Sequence, residues 1–211
     1  MKMIKLCIVM LLITGTLFAQ EQKRVDYIIV AALEAETKGL EKYAPIVYTG
    51  VGKVNATMKL YEAILKYKPS LVINYGTAGG LNSKHGLLKI DTFVQRDMDV
   101  RPLGIKRGIT PFENDVLPKA KGIVLGTGDS FVVNAKKDLE GLEVKVDLID
   151  MEGYALNKVA NYLKVKFESY KYVSDSANEE ASNDWAANVA KGAKLFDKFL
   201  SQTYGKSTLK P

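Results

Sequence analysis

Carboxylate side chains are the groups in this sequence best suited to acid–base chemistry. The chain has one cysteine, Cys7, and one histidine, His85. A zinc site usually needs several His or Cys ligands, and Ser-His-Asp or Cys-His catalysis needs a histidine beside the nucleophile. We therefore expect no bound metal. We also expect no cofactor. If the protein is an enzyme, Asp and Glu must carry its acid–base work.

Small residues recur in five separated segments, and three of these segments also carry such carboxylates. In chain order these are Ala31–Glu36, Gly50–Ala56, Asn74–Gly80, Asp150–Ala155 and Val173–Ala177. Each is a weak signal alone, but their order resembles the nucleoside phosphorylase superfamily, and within it the 5'-methylthioadenosine/S-adenosylhomocysteine nucleosidases. The resemblance runs from about Asp26 to Leu200. It implies an N-ribosyl hydrolase that releases adenine from 5'-substituted adenosines, with a place in nucleoside metabolism and methionine salvage.

The resemblance implies a catalytic division of labour among the carboxylates. Glu36 would position and deprotonate the attacking water, and Asp175 would protonate adenine N7 with support from Ser174. Glu152 would hold the ribose 2'- and 3'-hydroxyls.

Further residues would bind the nucleoside. Met151 would pack against the sugar, Phe131 would stack on the base, and the Val132 backbone would read the adenine edge. Thr77, Ala78 and Gly79 would line the water and ribose side.

The chemistry itself requires such a division. Adenine leaves poorly as an anion, so the base must gain a proton while the ribosyl carbon acquires positive charge. A positioned acid typically contributes about 10²- to 10⁴-fold. A second carboxylate must face the opposite side of the sugar with a water between, as in inverting glycoside hydrolysis.

Each residue taken alone also has an ordinary structural explanation. Glu36 fits a helix N-terminal charge, and Ser174-Asp175 fits a helix cap after a strand. Phe131 and Met151 fit core positions, and Glu152 fits a salt bridge. The joint arrangement favours the functional interpretation.

Three features depart from the family pattern. Lys171 stands where these enzymes usually carry arginine, in an unusually polar strand segment. Arg96-Asp97 replaces a common His-Asp pair, and the segment between Phe112 and Gly122 is short. The resemblance also implies a homodimer, for which we expect the interface to include Gly76–Leu81 and Arg96–Val100.

Alternating apolar and amphipathic stretches predict the elements that position these residues. They indicate one three-layer α/β/α domain with a central mixed sheet. The expected strands are 27–33, 45–48, 71–74, 88–95, 122–126 and 167–173. The expected helices are 34–43, 54–67, 151–163 and 184–200. Residues 201–211 are expected to fray.

The N-terminal 19 residues have the order of a secretory signal: basic Lys2 and Lys5, an apolar run, then small residues before Gln20. The run is short for a membrane span of about 20 residues, which leaves an uncleaved anchor as the alternative. We expect residues 20–211 to form a single exported domain, periplasmic or secreted, free of the membrane after cleavage.

Charge and arginine content bear on competing functions. Removing Lys2 and Lys5 lowers the formal charge from +6 to +4, and the lysines are scattered, so we expect no nucleic-acid partner. An exported polyanion-binding protein is one alternative. A purine nucleoside phosphorylase is the other, but its phosphate needs a cationic cradle, and the only arginines are Arg24, Arg96, Arg101 and Arg107. The sequence therefore favours a small nucleoside as the substrate and hydrolysis as the reaction.

Overall fold

The computed structural model describes residues 24–111, 119–206 and 209–210. The helices are α1 (Lys53–Tyr67), α2 (Ala135–Asp138), α3 (Gly153–Tyr162) and α4 (Ala181–Thr203), with short 3-10 helices at Glu34–Glu36 and Arg101–Leu103. The strands are β1 (Arg24–Val25), β2 (Tyr27–Ala31), β3 (Ile46–Tyr48), β4 (Leu71–Gly80), β5 (Leu87–Lys89), β6 (Thr92–Gln95), β7 (Val124–Thr127), β8 (Leu148–Asp150), β9 (Lys166–Asp175) and β10 (Leu209–Lys210).

The long strand β4 is the centre of a mixed sheet. It pairs in parallel with β9 from Leu71 to Gly79, and in parallel with β2 over Leu71–Asn74. At Gly79 and Gly80 it pairs antiparallel with β8. The strands β6, β7 and β8 continue the sheet in parallel, and β5 pairs antiparallel with β9. The predicted mixed sheet is confirmed.

Alternating side chains on β2 explain the three layers. Ile28 and Val30 pack with α1 and α3 on one face of the sheet. Tyr27 and Ile29 point to the other face and pack in the same cluster as Phe196 of α4. Because successive strand residues face opposite sides, a strand that is apolar throughout must be covered on both faces. The α/β/α prediction is confirmed.

Several predicted boundaries were wrong. The strand expected at 71–74 runs to Gly80. The strand expected at 88–95 is two strands, because the chain leaves its partner β9 at Lys89 and joins β7 at Thr92. The helix expected at 34–43 is only a 3-10 turn, followed by Gly39 at a positive φ of 89°.

The C-terminal segment also differs from the prediction of fraying. Helix α4 continues to Thr203, and Leu209–Lys210 pairs antiparallel with Arg24–Val25. The predicted signal segment 1–19 and most of the shortened segment, residues 112–118, lie outside the described residues. Within the part of the chain that is described, no helix is long and apolar enough to cross a membrane.

Candidate active site

A cavity of about 260 Å³ opens where β2, β4, β7, β8 and β9 end and their loops begin. Ligands in open α/β sheets bind at the carboxyl ends of strands, so this is the expected place for a site. All ten residues predicted from the sequence line this one cavity: Glu36, Thr77, Ala78, Gly79, Phe131, Val132, Met151, Glu152, Ser174 and Asp175.

The Glu36 carboxylate is held by three donors. Its Oε1 accepts hydrogen bonds from the Thr77 backbone N–H at 2.7 Å and the Thr77 hydroxyl at 2.8 Å. Its Oε2 accepts from the Leu33 N–H at 3.1 Å. A β-carbon at position 76 would lie 3.3 Å from Oε1, so Gly76 leaves room for this approach. The 3-10 turn after β2 thus fixes a buried carboxylate against the central strand.

Glu152 lies where β8 ends and α3 begins. Its Oε1 accepts a hydrogen bond from the Gly52 N–H at 2.9 Å, and only 7% of the residue is exposed. Burial raises the pKa of Glu152 to about 7, and the neighbouring Asp150 adds to the rise, whereas Lys171 and the Gly52 N–H oppose it. A carboxyl that titrates near neutrality in a cavity is typical of functional sites.

Beneath Glu152, Asp150 and Lys171 form a buried ion pair. The Lys171 ammonium lies 2.9 Å from Asp150 Oδ2, and both side chains are about 2% exposed or less. Asp150 also accepts from the Thr127 hydroxyl at 2.6 Å and the Gly153 N–H at 2.8 Å. Burial lowers the pKa of Lys171, but Asp150, Glu152 and Glu36 outweigh it and raise that pKa. The polarity of this part of β9 therefore has a structural cause. We call Glu36, Asp150, Glu152 and Lys171 the charged floor.

Asp175 lies at the end of β9, next to Gly79 of β4. Its Oδ2 accepts from the Ser174 hydroxyl at 2.8 Å and its Oδ1 from the Ala177 N–H at 2.9 Å. A β-carbon at position 79 would lie 3.0 Å from Oδ1, so glycine permits the close approach. The geometry orients the carboxyl and leaves it on the wall of the cavity.

The residues assigned to base binding lie on the loop after β7. Val132 is buried, whereas Phe131 is 51% exposed. The loop is anchored by Arg96, whose Nη2 donates to the Ser130 carbonyl at 2.7 Å and the Gly128 carbonyl at 3.3 Å. Val51, also on the cavity lining, is 43% exposed. We call Val51 and Phe131 the rim.

The segments expected at the dimer interface differ in exposure. In Gly76–Leu81, which is mostly central strand, Gly76, Ala78 and Gly80 are buried. Arg96 is 1% exposed and is bound to its own chain, whereas Asp99 is exposed and its neighbours in Asp97–Val100 are partly exposed. The interface at Gly76–Leu81 and Arg96–Val100 stays a prediction.

Reasoning from the sequence missed several lining residues. The cavity is also lined by Ala32, Leu33, Val51, Ser130, Ile149, Asp150, Ala177 and Trp185. Trp185 is the one tryptophan of the sequence, and it lies on a helix with no flanking motif to mark it. Among the described residues, no group of three or more His, Cys, Asp or Glu side chains is arranged to hold a metal ion.

Comparisons with known proteins agree with the fold. The model of the phosphorylase superfamily matches residues 30–203. A 5'-methylthioadenosine/S-adenosylhomocysteine nucleosidase from an Exiguobacterium species is 33% identical over 162 residues, 65% of this chain and 69% of that protein. An aminodeoxyfutalosine nucleosidase from Campylobacter jejuni is 27% identical over 177 residues, 74% of this chain and 77% of that protein.

A solved structure shows the same fold. The futalosine hydrolase of Helicobacter pylori superposes with a TM-score of 0.73 at 22% identity, covering 83% of this chain and 95% of that chain.

Proposed function

The chain belongs to the phosphorylase superfamily, and within it to the 5'-methylthioadenosine/S-adenosylhomocysteine nucleosidases, and from this membership we propose that it hydrolyses the N-glycosidic bond of 5'-substituted adenosines and releases adenine. The observation that carries the proposal is the convergence of Glu36, Glu152 and Asp175 on one cavity at the strand ends.

In the proposed mechanism Glu36 accepts a proton from the attacking water. Oε1 already accepts two hydrogen bonds and Oε2 accepts one, so Oε2 has the lone pair available for that proton. Asp175 gives a proton to N7 of the leaving adenine. Glu152 holds the two ribose hydroxyls, and this clamp fixes the sugar between the two groups.

Hydrolysis is supported over phosphorolysis because the hydrogen-bond donors around the cavity already have partners within the chain. The Thr77 donors are taken by Glu36, the Gly52 N–H by Glu152, and the Lys53 N–H by Asp129 at 2.7 Å. No arginine is among the residues that line the described cavity, and the nearby Lys171 is paired with Asp150. An incoming phosphate would meet carboxylates in place of a cationic cradle.

One assay tests the proposed function. Adenine release is measured in phosphate-free buffer from methylthioadenosine, S-adenosylhomocysteine, aminodeoxyfutalosine and adenosine, with inosine as the control for hypoxanthine release. We expect turnover of the 5'-substituted adenosines without phosphate. Turnover only after phosphate is added would contradict hydrolysis.

We further propose that the protein is a homodimer, through an apolar face on α1 and α3. This apolar face consists of exposed Val54, Met58, Tyr61 and Leu65 of α1 and Tyr162 of α3. The α1 residues follow the spacing of one helix side, and the stripe starts next to Val51 of the rim. A second copy seated there would cover both the apolar face and the open side of the cavity. Light scattering at assay concentrations tests the association.

Export remains a proposal from the sequence. We propose that residues 1–19 direct the enzyme out of the cytoplasm and are then removed. N-terminal sequencing of the protein recovered from periplasm and medium tests this, and we expect a mature end near Gln20. Recovery of the intact N-terminus in the membrane fraction would support the uncleaved anchor.

A further inference from the structure

Trp185 contacts the water side of the cavity but has no part in the mechanism proposed above. It lies near the start of α4, partly buried, and its ring lines the cavity. The indole Nε1–H donates a hydrogen bond to Thr77 Oγ1 at 2.9 Å. Thr77 Oγ1 in turn donates to Glu36 Oε1 at 2.8 Å. The three side chains therefore form one hydrogen-bonded chain that ends on the water-activating carboxylate.

The indole gives this chain a fixed direction. An indole N–H can only donate, whereas a threonine hydroxyl both donates and accepts and can rotate. With the indole N–H directed at Oγ1, the hydroxyl proton must point elsewhere, and Glu36 Oε1 is its partner. The Thr77 backbone N–H donates to the same oxygen at 2.7 Å. Oε1 is thereby occupied by two donors, and the proton taken from water is directed to Oε2.

The rest of α4 is fixed against the same strands. A β-carbon at position 192 would lie 2.6 Å from the Tyr75 hydroxyl, so Gly192 lets the helix approach β4 closely. Phe196 stacks on the Tyr75 ring at 4.1 Å between centroids. Since Tyr75 is two residues before Thr77, the contact that fixes the helix also fixes the position of Trp185.

One turn after Trp185, the same helix contacts the side of the cavity that holds Asp175. Asn188 Nδ2 donates to the Ser174 carbonyl at 2.9 Å, next to Asp175. Side chains three residues apart on a helix share one face. Helix α4 therefore contacts the strand that holds Glu36 and the strand that carries Asp175 from one surface.

We propose that Trp185 is a positioning residue for hydrolysis, which acts through the Thr77 hydroxyl to hold Glu36 with Oε2 free for the water proton. The inference rests on the proposed function. Under this inference, α4 holds Glu36 and Asp175 at a fixed distance from each other, because it contacts Thr77 through Trp185 and Ser174 through Asn188.

The test is a double-mutant cycle between Trp185→Phe and Thr77→Val. The first change keeps an aromatic ring and removes the N–H, and the second keeps the backbone donor and removes the hydroxyl. For loss of one hydrogen bond we expect kcat of Trp185→Phe to fall about two- to tenfold, with KM changed less than about twofold. In the Thr77→Val background the same change should have no further effect on kcat.

The matched control is Leu195→Ala, which removes an exposed apolar side chain from the same helix and should keep wild-type kcat. Replacement of the one tryptophan by its sulfur analogue, β-(benzothien-3-yl)alanine, removes only the N–H and should reproduce the kcat loss of Trp185→Phe even if the phenylalanine variant folds poorly.

The outcomes separate this inference from the proposed function. An equal loss from Trp185→Phe with and without the Thr77 hydroxyl would assign Trp185 to packing and overturn the inference. Full kcat in the sulfur analogue would do the same. If the wild-type protein released no adenine from any 5'-substituted adenosine, the proposed function itself would fail.

Discussion

The charged floor and the rim of the cavity are built in opposite ways. Glu36, Glu152 and Lys171 of the floor are 4%, 7% and 2% exposed, and each has a partner within the chain. Phe131 and Val51 of the rim are 51% and 43% exposed. The hydrogen-bond and ion-pair partners of the floor residues named here all belong to the same chain. The stability of the floor therefore depends on how its buried charges are paired. The rim is open to solvent, and in the dimer proposed above a second copy would cover it together with the apolar face.

This difference separates chemistry from substrate fit. Buried groups held by several donors keep their geometry without reorganisation during the reaction, which is how active sites stabilise developing charge. An exposed aromatic and an exposed valine contribute mainly by excluding water and contacting the substrate. Changes in the floor should therefore act on kcat and stability, and changes at the rim on KM.

The largest effect is expected from the two proton-transfer groups. Asp175→Asn cannot deliver the N7 proton, and Glu36→Gln cannot take one from water, so each should lower kcat about 10²- to 10⁴-fold. Glu36→Gln should still bind methylthioadenosine, as measured by calorimetry. Exposed neighbours give matched controls: Glu179→Gln and Glu34→Gln should keep wild-type rates. Undiminished kcat in a folded Asp175→Asn variant would remove Asp175 from the mechanism.

The next effect is on stability and comes from the ion pair in the floor. Lys171→Met leaves Asp150 buried without its cation, which should lower the free energy of unfolding by about 3–5 kcal/mol. Lys42→Met breaks the exposed pair with Asp197 and should lower the free energy of unfolding far less, because solvent screens that pair. Urea unfolding measures both. The double variant Asp150→Asn/Lys171→Met, with neither charge, should recover part of the loss. Equal losses of unfolding free energy in the two lysine variants would show that the Lys171–Asp150 ion pair does not stabilise the floor.

A smaller, pH-dependent effect is expected from Glu152. Its pKa is raised from 4.5 in the unfolded chain to about 7 in the folded protein, so between these values the folded state alone keeps the proton. The free energy of unfolding should then fall as pH rises through this window, by on the order of 1–3 kcal/mol, and level off above it. Glu152→Gln removes the titrating group and should remove this fall. Urea unfolding at pH 5 and pH 8 measures the difference, and parallel pH dependence in both proteins would contradict it.

The same contrast explains how far the sequence could predict the site. The strand–loop segments carry their motifs locally, so Glu36, Glu152 and Asp175 were identified and all lie in the cavity. The Lys171–Asp150 pair joins β9 to β8, and Trp185 reaches Thr77 across 108 residues. Such contacts depend on how the sheet and α4 pack, and no local spacing encodes them.

Element boundaries failed for a related reason. The strand expected at 71–74 extends through Gly76, Gly79 and Gly80, residues that usually interrupt strands. Here β9 pairs along nearly the whole strand, and the missing side chains make room for Glu36 and Asp175. Pairing with β9 and the close approach of Glu36 and Asp175 therefore explain why these glycines lie inside a strand.

The smallest effect is expected at the apolar face, and it tests whether the rim needs a second copy. Met58→Glu places a charge in the middle of the exposed stripe of α1, where burial against another subunit would be costly. We expect it to weaken the dimer and to raise KM for methylthioadenosine about three- to tenfold, with kcat changed little. Lys59→Glu, at an exposed position on another side of α1, should leave both association and KM unchanged. Light scattering over a range of concentrations, in parallel with kinetics, links the two quantities. A wild-type protein that is monomeric and fully active would show that one chain completes its own rim, while the chemistry assigned to the floor would stand.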